Sequence, residues 1–263
     1  MNLDVLLCPG DRNELVSNDP TIFKKLDSHF NSSKSTPDLI MFSEYAFWLD
    51  DIIRDIEDIS SFAQNYNCNI IMAPKGSKTN GNLVSWNRRK SQLINTGVAF
   101  EEGDLLYHCE VMGLWFYANG NVLGFAKDIA GGNIHKIPST DFGVGLCWEL
   151  QGMSSIEDDI KVLLNPCRIY ESYKIYNKVW GRTRLMAKKD SNTSGTTYPT
   201  NNHIRSILPV AQEKNILILG CDTDFASGVT YIPNNLKVTY AKNERLSNSN
   251  YFCKRIKIND QNK

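Results

Sequence analysis

The segment Phe142-Gly143-Val144-Gly145-Leu146-Cys147-Trp148-Glu149 constrains the fold more than any other in this chain. An apolar run leads straight into a cysteine, and an aromatic residue and a carboxylate follow at once. Upstream, Pro37-Asp38-Leu39-Ile40-Met41-Phe42-Ser43-Glu44-Tyr45 repeats the arrangement with a glutamate at the end of the run. Short runs that are apolar at nearly every position suit strands buried on both faces. Open α/β folds build their sites at the C-terminal tips of such strands. The two segments together predict a cysteine nucleophile, Cys147, served by a glutamate base, Glu44. Because Trp148 and Glu149 interrupt the apolar run, the Cys147 side chain is expected at the edge of its sheet.

Other short apolar runs predict strands over residues 3–7, 38–42, 69–72, 142–147, 160–165 and 216–220. Residues 21–30 carry Ile22, Phe23, Leu26 and Phe30 on one helical face, and residues 50–66 repeat Ile52, Ile53, Ile56, Ile59 and Phe62 at helical spacing. A third helix is expected over 201–214 despite Pro209. Residues 93–100 and 104–109 flank Glu101-Glu102-Gly103 in a hairpin-like pair, and the tail alternates in short strands over 228–232, 237–240 and 251–258. The polar stretch 188–202 predicts a mobile loop. From these patterns alone, a mixed sheet with both faces covered is the simplest architecture.

Composition narrows the classes of function. The 263 residues are 41% hydrophobic and 22% charged, without a linker or composition break, so a single domain over 1–263 is expected. Lys+Arg and Asp+Glu both number 29, so no basic excess draws the chain to nucleic acid or to an anionic membrane. A near-neutral surface favours self-association. The first residues lack the basic and apolar regions of a secretory leader, and no run approaches the roughly 20 apolar residues of a membrane span. The seven cysteines show no paired spacing, and several sit in apolar runs, which suits a reducing cytoplasm.

Beyond these physical readings, the two strand-end segments resemble the glutamate and cysteine motifs of the nitrilase superfamily, the carbon–nitrogen hydrolases. The Cys147-Trp148-Glu149 variant resembles that of nitrilases proper. Asn95-Thr96-Gly97-Val98-Ala99-Phe100 before Glu101-Glu102-Gly103-Asp104, then Val162-Leu163-Leu164-Asn165-Pro166, and the helix end Ala211-Gln212-Glu213-Lys214-Asn215 resemble further family segments in the right order. The resemblance covers residues 1 to about 232. It implies a four-layer α-β-β-α sandwich, dimerised through a helical face into a homodimer or higher homo-oligomer. It also implies hydrolysis of a small-molecule amide or nitrile through a cysteine acyl-enzyme, with no metal and no organic cofactor. Glu44 would be the general base, Cys147 the nucleophile and the Trp148 backbone N–H part of the oxyanion hole.

One departure stands out. Where the family places a lysine after a tyrosine, this chain has Leu106-Tyr107-His108-Cys109-Glu110-Val111, so Cys109 occupies the lysine position. Losing one oxyanion contact costs roughly 10²–10³ in rate. Lys75, which follows Ala73-Pro74 at the end of a strand, is the substitute candidate, ahead of Lys127 and Lys136. Trp115, Phe116, Tyr117 and Trp148 are candidates for an aromatic pocket, and Arg168 and Tyr170 for substrate contact. A glutamine amidotransferase is excluded because large residues follow the cysteine and no late His-x-Glu exists. A papain-like enzyme would have to rely on His203 alone. Zinc, nucleoside triphosphate and dinucleotide motifs are absent from the sequence. The rival class is a binding or scaffold protein that kept the fold and lost turnover; an acyltransferase using the same cysteine is the other alternative.

Overall fold

Along β1 (Asn2–Cys8) the side chains alternate between two apolar environments: Val5 and Leu7 enter one buried cluster, Leu6 and Cys8 another. A strand imposes that period of two, and both faces are buried only when both faces of its sheet are covered. The alternation continues in β2 (Leu39–Glu44) and β3 (Asn69–Ala73), where Leu39, Met41 and Ile71 face one way and Ile40, Phe42 and Ile70 the other. The computed structural model describes residues 1–9, 21–44, 52–74, 77–79, 82–84, 93–94, 112–126, 133–150, 153–167, 206–221, 228–246 and 252–261.

Two helices cover the outer face of these strands. On α1 (Thr21–Ser33) Ile22, Leu26 and Phe30 recur every four residues, and on α2 (Ile52–Tyr66) Ile56, Ile59, Phe62 and Ala63 form the buried stripe. Both stripes pack with Leu6, Ile40, Phe42 and Ile70, and ring contacts bind them, Phe23–Phe62 at 5.2 Å and Phe30–Tyr66 at 5.2 Å between centroids. Each helix is followed by a residue in the left-handed region, Lys34 (φ 51°) and Asn67 (φ 49°), which turns the chain out of the helix. Lys34 N–H donates to the Phe30 carbonyl at 2.8 Å, and Cys68 N–H to that of Ala63 at 3.0 Å.

The first sheet is larger than the three parallel strands. Its order, with β6 (Leu93–Ile94), β7 (Met112–Phe116), β8 (Val122–Ala126), β14 (Leu236–Arg245) and β15 (Phe252–Asp260), is β14-β15-β1-β2-β3-β7-β8-β6. The β15 strand runs antiparallel to β1, and β7 antiparallel to β3. A small ribbon of β4 (Ser77–Thr79) and β5 (Asn82–Val84) stands apart from it.

The second sheet contains β9 (His135–Lys136), β10 (Phe142–Val144), β11 (Val162–Pro166), β12 (Leu217–Cys221) and β13 (Gly228–Tyr231), ordered β13-β12-β11-β10-β9. Its three central strands are parallel. Phe142, Val144, Val162, Leu164, Leu217 and Leu219 face the first sheet and share a core with Val5, Met41, Ile71 and Trp115. The opposite face, with Leu163 and Ile218, is covered by Ile207 and Ala211 of α3 (Ile207–Glu213). Helices, sheet, sheet and helix make the four-layer α-β-β-α sandwich, in place of the single mixed sheet that the apolar patterns alone suggested.

Several boundaries differ from expectation for identifiable reasons. The third helix starts at Ile207, which leaves Pro209 in its first turn, where a missing N–H costs no helical bond. The strand expected over 142–147 ends at Val144, because the chain then turns. The β7–β8 hairpin was not expected, although Asn119-Gly120 at its turn is a hairpin signal and Gly120 takes φ 88°. The strand predicted over 104–109, most of that over 93–100 and the loop over 188–202 lie outside the described residues.

Candidate active site

The turn that carries Cys147 is built from backbone upward. After β10, Gly145 N–H still donates to the Leu164 carbonyl of the neighbouring strand at 2.9 Å. A Cβ on Gly145 would lie 2.1 Å from Leu150 Cδ2, so glycine here leaves the room that the Leu150 side chain fills. Cys147 then adopts φ 49°, in the left-handed region, and opens a 3₁₀ turn over Cys147–Leu150. A non-glycine residue in that region is strained, of order 1–3 kcal/mol, and persists only where its surroundings hold it.

Three side chains do the holding. Glu149 is fully buried, and its Oε2 accepts the Leu146 N–H at 2.7 Å. Its Oε1 lies 3.0 Å from His135 Nε2 on β9; with the carboxylate ionised, the imidazole is the donor. His135 in turn stacks at 4.6 Å on Phe125 of β8, which fixes its ring. From the other side Asn165 of β11 donates its Nδ2 to the Gly145 carbonyl at 2.6 Å and to the Cys147 carbonyl at 3.3 Å. Ser206 Oγ donates to the Leu150 carbonyl at 3.2 Å and closes the far end of the turn. A buried carboxylate is tolerable here because both of its oxygens are bonded.

Cys147 itself is 2% exposed and packs with Leu150, Ile160 and Leu163 on the α3 side of the sheet. It lies past the end of β10, beyond the tip of its strand, in the 3₁₀ turn that Trp148 continues and that Glu149 folds inward to brace. Glu44 ends β2, beyond an irregularity in the β2–β3 ladder, where the pairing slips from Met41↔Ile71 to Glu44↔Ala73. Such a slip adds one residue to β2 and re-aims the end of the strand, a device common beside active sites. Across the sandwich Cys221, at the C-terminal end of β12, donates its Sγ to the Met41 carbonyl at 3.3 Å, so that end of the second sheet rests on β2 within three residues of Glu44.

With this geometry in place, the chain superposes on a mutant of an amidase from Nesterenkonia sp. AN1, solved with the acetamide moiety of fluoroacetamide covalently added at its active-site cysteine. The TM-score is 0.50, over 97% of this chain and 89% of that one, at 9% sequence identity. That amidase is of the nitrilase superfamily. The chain has the nitrilase-superfamily fold. A CN-hydrolase superfamily protein from Xanthomonas campestris, with an arsenic adduct in its active site, aligns with a TM-score of 0.45 over 88% of this chain and 80% of that one, at 10% identity. No family model and no curated protein matches the sequence.

Within the nitrilase-type sandwich the remaining sequence candidates fall into three groups. Lys75, Cys109, Lys127, Arg168, Tyr170 and His203 lie outside the described residues. Lys136 is on β9 and pairs with Asp159 at 2.9 Å, which engages it in a surface ion pair. Trp115 and Phe116 are fully buried on opposite faces of β7, Trp115 against Phe142 at 5.3 Å; Tyr117 is partly exposed. Sequence reasoning missed Glu149, His135 and Asn165 as supports of the turn. The signal for Glu149 was its spacing, three residues after the N–H that it caps, as in a helix capping box. Among the described residues no group of three or more His, Cys, Asp or Glu is placed to hold a metal ion, and no described helix is long and apolar enough to cross a membrane.

Proposed function

We propose that this protein is a cysteine-dependent hydrolase of non-peptide carbon–nitrogen bonds, acting on a small amide and possessing the chemistry to take a nitrile. The observation that supports this reading best is the Cys147 turn: a strained left-handed cysteine after a central parallel strand, braced from both sides by buried polar groups. Strain at a strand-to-turn junction is how hydrolase nucleophiles are presented. In the proposed reaction Glu44 takes the thiol proton and Cys147 Sγ attacks the carbonyl carbon. The oxyanion is met by the Trp148 N–H and by Lys75, which stands in for the lysine that Cys109 replaces. Glu44 returns its proton to the departing ammonia or amine, then activates the water that cleaves the thioester and releases the acid.

The observation favouring a second reading is the 2% exposure of Cys147. A thiol packed that tightly suits a nitrilase-like protein that binds or scaffolds without turnover. Alkylation separates the two. Cys68 is a built-in reference, because burial pushes its thiol up to about 12 and keeps it protonated. With iodoacetamide at neutral pH, an activated Cys147 is expected to be labelled at least tenfold faster than Cys68, and Glu44→Gln to remove that advantage. Equal labelling of the two thiols in the wild-type protein would sink the hydrolase reading, whereas fast labelling warrants an ammonia-release screen over small amides and nitriles. Product made only when an amine is added would identify acyl transfer instead.

A further inference from the structure

A cysteine pair lies outside this site. Cys8 ends β1 and Cys253 lies near the start of β15, 245 residues apart in the chain. The antiparallel register runs to Leu7↔Lys254, so the next pair across the ladder is Cys8 and Cys253, directly opposite each other. Both side chains turn to the face covered by α1 and α2, and both are buried, at 0% and 1% exposure. Their sulfurs are 3.2 Å apart. A disulfide requires about 2.05 Å between sulfurs and side chains that face each other, so the two strands need to close by only about 1 Å.

We propose that Cys8 and Cys253 form an oxidation site, a reversible disulfide that staples β15 to β1 when the chain meets a low-molecular-weight disulfide such as oxidised glutathione. The step balances without any other reactant. The thiolate of one cysteine attacks a sulfur of the small disulfide and expels one small thiolate. The thiolate of the second then attacks the protein-side sulfur of the mixed disulfide and expels the other. One protein disulfide forms, one small disulfide is reduced to two thiols, and the two protons from the cysteines pass to them. Burial first, and then the bond and charge of Cys253, raise the Cys8 thiol well above its usual range, so the reduced pair is slow to react while the strands stay shut. The exchange accordingly takes place as the β1–β15 ladder opens or as it forms.

The test uses the full chain with oxidised glutathione, added once to native protein and once during refolding from guanidinium, so that burial cannot hide the outcome. The expected product is lighter by two hydrogens, has lost two maleimide-reactive thiols, melts at a higher temperature and reverts with dithiothreitol. Its non-reduced digest contains one peptide pair joining Cys8 to Cys253. Cys8→Ala and Cys253→Ala each abolish that pair, and Cys68→Ala keeps it. Full maleimide labelling of Cys8 and Cys253 after oxidative refolding, or a linkage joining other cysteines, overturns the proposal. Because none of these readouts depends on turnover, the result stands apart from whether Cys147 is catalytic.

Discussion

Glu149 shows how much of the candidate site depends on a residue that touches no substrate. It takes the Leu146 N–H and the His135 imidazole in the same buried carboxylate, and Cys147 directly follows the residue whose N–H it holds. Replacing it with alanine leaves a buried N–H without its acceptor and should cost about 2–3 kcal/mol, read as a drop in thermal midpoint. Glu149→Gln keeps an acceptor for Leu146 and should cost less. If the carboxylate positions the thiol, Glu149→Ala also slows iodoacetamide labelling of Cys147 while Cys68 is unchanged; an unchanged Cys147 rate would reduce Glu149 to a stability residue. Cys147 and Glu44 were legible from the sequence as strand-end residues because apolar runs point at them. The brace was not, because His135 and Asn165 reach the turn from strands whose pairing cannot be read from residue spacing.

At the scale of elements, the parallel strands and their helices followed directly from short, nearly continuous apolar runs and from helical apolar spacing. The β7–β8 hairpin was hidden because Leu114, Trp115 and Phe116 are apolar in succession and suggest a pocket as readily as a strand, while β7 buries both faces. The β1–β15 pairing was equally invisible, and its polar anchor is deep. Arg255, 4% exposed, donates Nε and Nη2 to the two Asp4 carboxylate oxygens, both at 2.9 Å, and Nη2 also reaches Ser35 Oγ at 2.8 Å. Burial alone would lower the guanidinium pKa, but the bonds and charge of Asp4 raise it instead. Asp4→Ala strands a buried charge and is expected to destabilise by about 3 kcal/mol in urea unfolding, at the lower end for a buried pair because the Asp4 side chain retains 18% exposure. A loss within experimental error would mean that water replaces the carboxylate.

At the scale of the molecule, the core between the sheets draws on residues from Leu3 to Ile258, so neither sheet can bury its inner face without the other. Thermal unfolding is therefore expected to be one transition by both far-UV and near-UV signals, and two separated transitions would show independent units. The outer edge is guarded differently: β14 exposes nearly its whole length and carries Lys237, Lys242 and Arg245, charges that discourage pairing with a further strand. No such guard protects β1, whose ladder is completed only by a strand far along the chain. During synthesis at about 5–20 residues per second, the 245 residues between Cys8 and Cys253 take about 10–50 s to emerge. For that interval the nascent chain holds out a bare apolar strand edge, so chaperone demand and inclusion-body formation are set by translation speed as much as by final stability.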